Sequence, residues 1–441
     1  MLIIAGNKNS IFRPYCDIKI RRKGCRFVKN KVYLFSTIGT FSKKRNKIMN
    51  ISKKAVRIQS LDVFRALTMF LMLWVNEYAG VKDLPHWMYH ATVHEDMMGF
   101  SEVIFPAFLF AMGMAVPFAV QNRIRKGDNK FQIVIHVLLR TVALVVMGLF
   151  TVNKGSYDAA ASGIPSAWFS LLMVAGFFLV WNLYPKATDW KKYLYTGLKV
   201  LGIALLVYLF VIFTPKEGQS FGTKWWGILG LIGWSYLGTS LIYLFTGSNL
   251  KKVVIAFLVL VACCLLTFAG AFKGTWAQLI PSQPVLYALS VAGMLSAVIM
   301  QKYADVKAPG KFYGTMVAIG VVMFISGLVA HNWWIISKMQ ATPTWLFYCC
   351  AMFFPMVALL HYICDVKGKT SWFAIIKPAG TLTLTCYMIP YITGNLMTLL
   401  HVHWPSFTYS GWEGLVRCAV YSLAAVWIAW LLSKIHIRLK I

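Results

Sequence analysis

Residues 60–80, SLDVFRALTMFLMLWVNEYAG, and residues 100–119, FSEVIFPAFLFAMGMAVPFA, are two apolar stretches joined by the polar segment VKDLPHWMYHATVHEDMMG (81–99). A bilayer core of about 30 Å takes roughly twenty apolar residues per helix, so each stretch is long enough to cross one. Working outward, the same unit recurs. Windows of this kind fall at about 61–79, 101–120, 131–152, 165–184, 193–213, 225–246, 252–272, 285–301, 312–331, 344–364, 376–400 and 413–433. The expected fold is all-α: a polytopic membrane helical bundle of about 12 transmembrane helices (10–12). Backbone groups in hydrocarbon must be satisfied within each helix, which leaves no place for an open sheet.

Composition agrees. The chain of 441 residues is 59% hydrophobic and 13% charged, with a mean hydropathy of +0.63, too apolar for a soluble globular domain. The net charge of +30 does not point to nucleic acid, because the basic residues sit at the ends of apolar spans, where they set topology. With a cytoplasmic N-terminus, the connections on that side are QNRIRKGDNK, YPKATDWKKY, TGSNLKK, QKYADVKAPGK and DVKGKTSW, followed by the tail SKIHIRLKI. Every one is basic. The alternate loops are poorer in net charge and richer in Trp, His and Pro, so both termini are expected in the cytoplasm.

The first sixty residues hold sixteen Lys or Arg and one acid, Asp17, without a long apolar core or a small-residue cleavage site. Residues 1–56 therefore read as a basic N-terminal extension without structure of its own, Met49 opening a more natural start, and 57–441 as the transmembrane domain. Seven of the nine cysteines fall inside or at the ends of apolar spans, with no CxxC pair, and read as packing residues. No internal repeat is visible.

The chemistry-bearing residues are unevenly placed. Of fourteen acids, five lie between Glu77 and Glu102, together with His86, His90 and His94. Imidazole suits proton transfer near neutral pH. The spacing of four would put the three histidines on one face if the loop were helical, an arrangement that also suits metal beside Glu95 or Asp96; Pro85 and Gly99 argue against a long helix there, there is no HExxH, and no metal is expected. Asn76, at the end of the first span, is a donor into a site or a helix-to-helix hydrogen bond. Arg140, nine residues into the third span with His136 a turn before it, needs an anionic partner or a watery cavity. Asp62 and Arg65 stand near the cytoplasmic end of the first span.

These residues carry a resemblance. SLDVFRALT, WVNEYAG and HATVHEDMMGFSEVIFPAFLFAMG, followed by ISKMQATPTW and DVKGKTSW, are similar to the motifs of the heparan-α-glucosaminide N-acetyltransferase family and its bacterial relatives carrying a domain of unknown function. The resemblance covers about residues 57–441. It implies a transmembrane acyltransferase that moves acetyl from cytosolic acetyl-CoA to an amino sugar or cell-envelope glycan on the far side of the membrane, in a bacterial inner (cytoplasmic) membrane. Matched position by position, the family's loop histidine falls on His90, its asparagine on Asn76, and its acid before the F-P pair on Glu102, which are the expected catalytic residues. The helix-3 arginine resembles Arg140 and the late-loop lysine Lys338; with Arg65 these are the expected contacts to acetyl-CoA. The chain departs from the family at Ala66, where Gly is usual, at Glu102, where Asp is usual, and in a loop two residues longer, which makes His94 a competitor of His90. The spans at about 225–272 look like an insertion. Expected partners are membrane lipid and a glycan or amino-sugar acceptor, with homo-oligomerisation left open and nucleic acid excluded. The alternative from another class is a secondary transporter of a small polar or anionic solute, for which twelve spans with both termini inside is a common layout.

Overall fold

The computed structural model describes residues 58–216, 221–223, 226–275, 280–303 and 309–441; the basic extension read over residues 1–56 lies outside them. The long helices are α1 (Gln59–Tyr78), α2 (Phe100–Arg125), α3 (Lys130–Asn153), α4 (Ser166–Trp181), α5 (Trp190–Val211), α6 (Gly227–Thr246), α7 (Leu250–Phe268), α8 (Pro284–Tyr303), α9 (Pro309–Ala330), α10 (Pro343–Leu360), α11 (Thr383–Leu399) and α12 (Gly411–Lys434). Each apolar window coincides with one of them. Among the described residues there is no strand, and nine helices are long and apolar enough to cross a membrane. The others are α4 and α11, which are short at 16 and 17 residues, and α1, whose 20 residues include Asp62, Arg65, Asn76 and Glu77.

The bundle is built around α2 and α8. From Ala288 to Met300 every residue of α8 is buried, whereas α5 and α7 expose apolar side chains such as Val200, Leu201, Val207, Ile255 and Leu258, the faces suited to lipid. At the α2–α8 crossing the backbones touch. A Cβ added to Gly113 would overlap the Ser290 carbonyl oxygen, and one added to Gly293 would overlap that of Phe110. Small residues allow this approach, as in membrane helix pairs generally. Eight residues beyond each glycine stand Gln121 and Gln301, whose amides bond reciprocally: Gln121 Nε2 donates to Gln301 Oε1 at 2.9 Å and Gln301 Nε2 donates back at 3.3 Å. The two helices therefore run in the same direction and in register.

AMGMAVPFAVQ (111–121) and VAGMLSAVIMQ (291–301) share Gly, Met and Gln at equal spacing; the structure places both glycines in the crossing and joins the two glutamines. Around this crossing, α3 packs along α6, which also packs on α2, and α9 packs along α10, both of which contact α8.

At the end of the bundle where α1 begins, Ile58 supplies no side-chain cap. The Asp365 carboxylate does so from a distance, accepting from Gln59 N–H at 2.7 Å and Ser60 N–H at 3.1 Å, which satisfies two of the donors a helix N-terminus leaves open. Ala66, where the resembled family has Gly, is accommodated by Gly380 opposite; a Cβ there would meet Asp62 O at 2.7 Å and the Ala66 methyl at 3.2 Å.

Candidate functional site at the far end of α1

The polar loop after α1 is pinned at both ends. Lys82 N–H donates to Tyr409 O and Gly411 N–H to Lys82 O, each at 2.9 Å. Tyr78 OH donates to Met88 O at 3.1 Å, and Ser101 Oγ holds the same carbonyl. Met88 is thus fixed over the first turn of α2, which brings His90, two residues on, against Glu102. The loop is not helical beyond the single turn His86–Met88, so the spacing of four does not align the histidines. His86 pairs with Glu95 at 3.0 Å. His94 is exposed and no hydrogen bond or ion pair ties it to the others. Among the described residues no three His, Cys, Asp or Glu side chains converge as a metal site.

His90 Nδ1 lies 2.8 Å from Glu102 Oε1. Lys338, from the loop between α9 and α10, completes a trio, its Nζ 2.7 Å from the same Nδ1 and 3.1 Å from Glu102 Oε1. Glu102 is fully buried, while 41% of the His90 side chain is exposed. Its free edge, with Nε2, is therefore the open side of the site. Glu102 Oε2 is buried without a donor. One carboxylate oxygen thus serves both neighbours and the other has no donor.

The backbone holds Glu102 in place through a proline. Pro106 has no N–H, so the Glu102 carbonyl four residues earlier lacks its helical partner. Trp345 Nε1 donates to it instead at 3.1 Å from a fully buried ring. Trp345 sits in the first turn of α10, after the N-cap Thr342 and Pro343, positions those residue types favour.

The two loops are clasped. Asp96 Oδ1 accepts from Ile336 N–H at 2.8 Å, and its Oδ2 pairs with His331 Nε2 at 2.7 Å. Gln340 Nε2 donates to Val93 O at 2.7 Å. Lys338 is held between these ties. Partial burial would raise the Asp96 carboxyl, but the Ile336 N–H and His331 outweigh it and hold it below its usual value. Burial pushes the Lys338 ammonium below the ordinary lysine range, with Glu102 opposing only in part.

Of the six residues expected to act, the structure brings together His90, Glu102 and Lys338. Asn76 is exposed, with no bond joining it to the trio. Arg65 lies in the second turn of α1, about 20 Å along the helix from its far end at 1.5 Å per residue. Arg140 stacks over the Tyr236 ring of α6 at 4.6 Å, with its Nε buried and unpartnered. The three residues expected to contact acetyl-CoA do not converge. The roles of Asp96 and Trp345 emerge only from the structure; in the sequence, Pro106 four residues after Glu102 is the signal for a side-chain donor at that carbonyl.

Fold and site define an α-helical integral membrane protein with a His–Glu–Lys cluster closed between two loops at one end of the bundle. The chain belongs to the family described as "Domain of unknown function (DUF5009)", which matches residues 57–317, a segment that includes His90 and Glu102 and stops before Lys338. It is also similar to heparan-alpha-glucosaminide N-acetyltransferase of Homo sapiens, 30% identical over 98 residues, which are 22% of this chain and 14% of that protein. The Mus musculus enzyme of the same name is 29% identical over 101 residues, again 22% and 14%. The match spans about a seventh of the length of these relatives.

Proposed function

We propose that the chain is a transmembrane acetyltransferase that takes acetyl from cytosolic acetyl-CoA and delivers it to an amino sugar or cell-envelope glycan on the opposite face, in a bacterial inner membrane. The observation that carries this is the His90 imidazole, with Nδ1 engaged by Glu102 and Lys338 and its other edge open. An imidazole anchored at one nitrogen presents the second, Nε2, either as a base toward an acceptor amine or as a nucleophile toward a thioester carbonyl. Similarity to acetyltransferases in a limited segment supports the same reaction class. Acetyl-CoA is a co-substrate here. Arg65 and Arg140 are proposed to meet its phosphates separately from Lys338, and Asn76 to donate toward the developing oxyanion. Purified protein supplied with labelled acetyl-CoA and glucosamine should release CoA and form N-acetylglucosamine; no CoA release would reject this function.

One observation favours a second reading. Parallel repeats related about the membrane normal occur in secondary transporters, and α2 and α8 pack in register about Gly113 and Gly293. Solute uptake by proteoliposomes without acetyl-CoA consumption would support transport instead.

A further inference from the structure

We propose that Lys338 is the proton acceptor of the reaction, acting through His90: as Nε2 takes up a proton or an acetyl group, the proton on Nδ1 passes to Lys338 Nζ. This rests on the acetyltransferase function above and assigns Lys338 a role other than contact with acetyl-CoA.

The geometry leaves few arrangements. Nδ1 can hold one proton or one lone pair. If it holds a lone pair, Lys338 donates to it as an ammonium, and the proton of the neutral imidazole sits on Nε2, where it blocks both base and nucleophile. If Nδ1 holds the proton, Nε2 is free to act, and the proton is shared between Glu102 Oε1 at 2.8 Å and the amine lone pair of Lys338 at 2.7 Å. A second proton-bearing nitrogen at that distance is compatible with the active form only if Lys338 is the neutral amine. The second state becomes the first when Nε2 takes up one proton and the Nδ1 proton passes to Nζ along a contact already made.

The groups facing Lys338 fit this role. They are Glu102 of α2, His90 of the first loop and the buried Cys349 thiol of α10. Burial lowers the affinity of Lys338 for its proton, and Glu102, fully buried at 3.1 Å, receives the ammonium once it forms. Asp96, Ile336 and Val93 fix the loop on either side, so the amine stays within transfer distance.

The step balances. For direct transfer, the acceptor amine forms the new N–C bond, the C–S bond breaks with its electron pair leaving on the CoA thiolate, and the amine proton goes to Nε2. The Nδ1 proton then goes to the Lys338 lone pair, giving an ammonium paired with Glu102. If Nε2 itself takes the acetyl group, the same Nδ1 proton leaves to Lys338 as the C–S bond breaks.

The test is the pH dependence of CoA release by the full chain in detergent, with acetyl-CoA and glucosamine, from about pH 6 to about pH 10. The wild-type rate should rise with pH to a plateau, with a midpoint below the ordinary lysine value of about 10.4. Lys338→Arg keeps the cation opposite Glu102 and cannot accept the proton; it should lose about a hundredfold or more in kcat, with KM for acetyl-CoA little changed. Lys338→Ala should recover activity with added ethylamine in proportion to its free base, a readout that a merely structural lysine would not give. Near-wild-type turnover of Lys338→Arg, or rescue that tracks the ethylammonium ion, would overturn the proposal while leaving the acetyltransferase function standing. Absence of turnover in the wild type would remove both.

Discussion

Lys338 and His90, 248 residues apart in the chain, meet with Nζ 2.7 Å from Nδ1, each on a loop held by the other. The His90 loop follows α1 and leads into α2, and the Lys338 loop joins α9 to α10, so the site is assembled between the two helix groups that meet at the α2–α8 crossing. Its integrity depends on contacts outside the trio, and these can be tested one at a time.

Asp96 is the clasp between the loops. Asp96→Ala removes the acceptor of Ile336 N–H and the partner of His331, and should lower kcat for acetyl transfer about tenfold. Asp96→Asn, which keeps one acceptor oxygen, should fall between. The carboxyl is held below its usual 3.8, so its contribution is complete above that value and is lost as pH falls through the lower folded one. Melting in detergent against pH should show the wild-type advantage over Asp96→Ala disappearing only in that acid range.

Trp345 and Pro106 form a compensating pair. Trp345→Phe leaves the Glu102 carbonyl without a donor and should destabilise by about 1–3 kcal/mol, the usual penalty for an orphaned buried acceptor. Pro106→Ala restores a backbone N–H four residues after Glu102. In that background Trp345→Phe should be much milder, and a double-mutant cycle of thermal midpoints reads the difference. Equal penalties in both backgrounds would contradict the pairing.

The α2–α8 crossing leaves no space at its centre. Gly113→Val and Gly293→Val each drive a side chain into a facing carbonyl, and neither variant should yield monodisperse protein in detergent. Gln121→Ala, removing the amide pair with Gln301 and the bonds from Gln121 Nε2 to Tyr243 OH and Ser248 Oγ, should fold with a lower midpoint, because each interhelical hydrogen bond within a membrane contributes about 0.6–2 kcal/mol.

The proposed direction of transfer has the basic loops, and with them both ends of the chain, in the cytoplasm. A reporter fused after Ile441 should have cytoplasmic activity, and one inserted in the loop before α10 should report the opposite side. Opposite signals would invert the proposed direction of transfer.

How much of this was legible in the sequence varies by residue. The helices were, because hydrocarbon demands long apolar runs and each window matches a helix. His90 and Glu102 were legible as members of a dense cluster of acids and histidines close in the chain. The link of His90 to Lys338 was not, since it depends on how the α9–α10 loop folds back over α2. Arg140 was read as needing an anion or a cavity, whereas the Tyr236 ring covers its guanidinium, a partner that hydropathy does not reveal. The pairing of α2 with α8 was not legible, because apolar runs are interchangeable in sequence, and only the contact between Gln121 and Gln301 fixes the register.

The most direct test of the central claim is CoA release from labelled acetyl-CoA by wild type, His90→Ala and His94→Ala, purified in detergent with equal melting behaviour. The predicted result is transfer in the wild type, loss by about a thousandfold or more in His90→Ala, and most of the rate retained in His94→Ala, which lacks any tie to Glu102 or Lys338. Wild-type-like turnover in His90→Ala would contradict it.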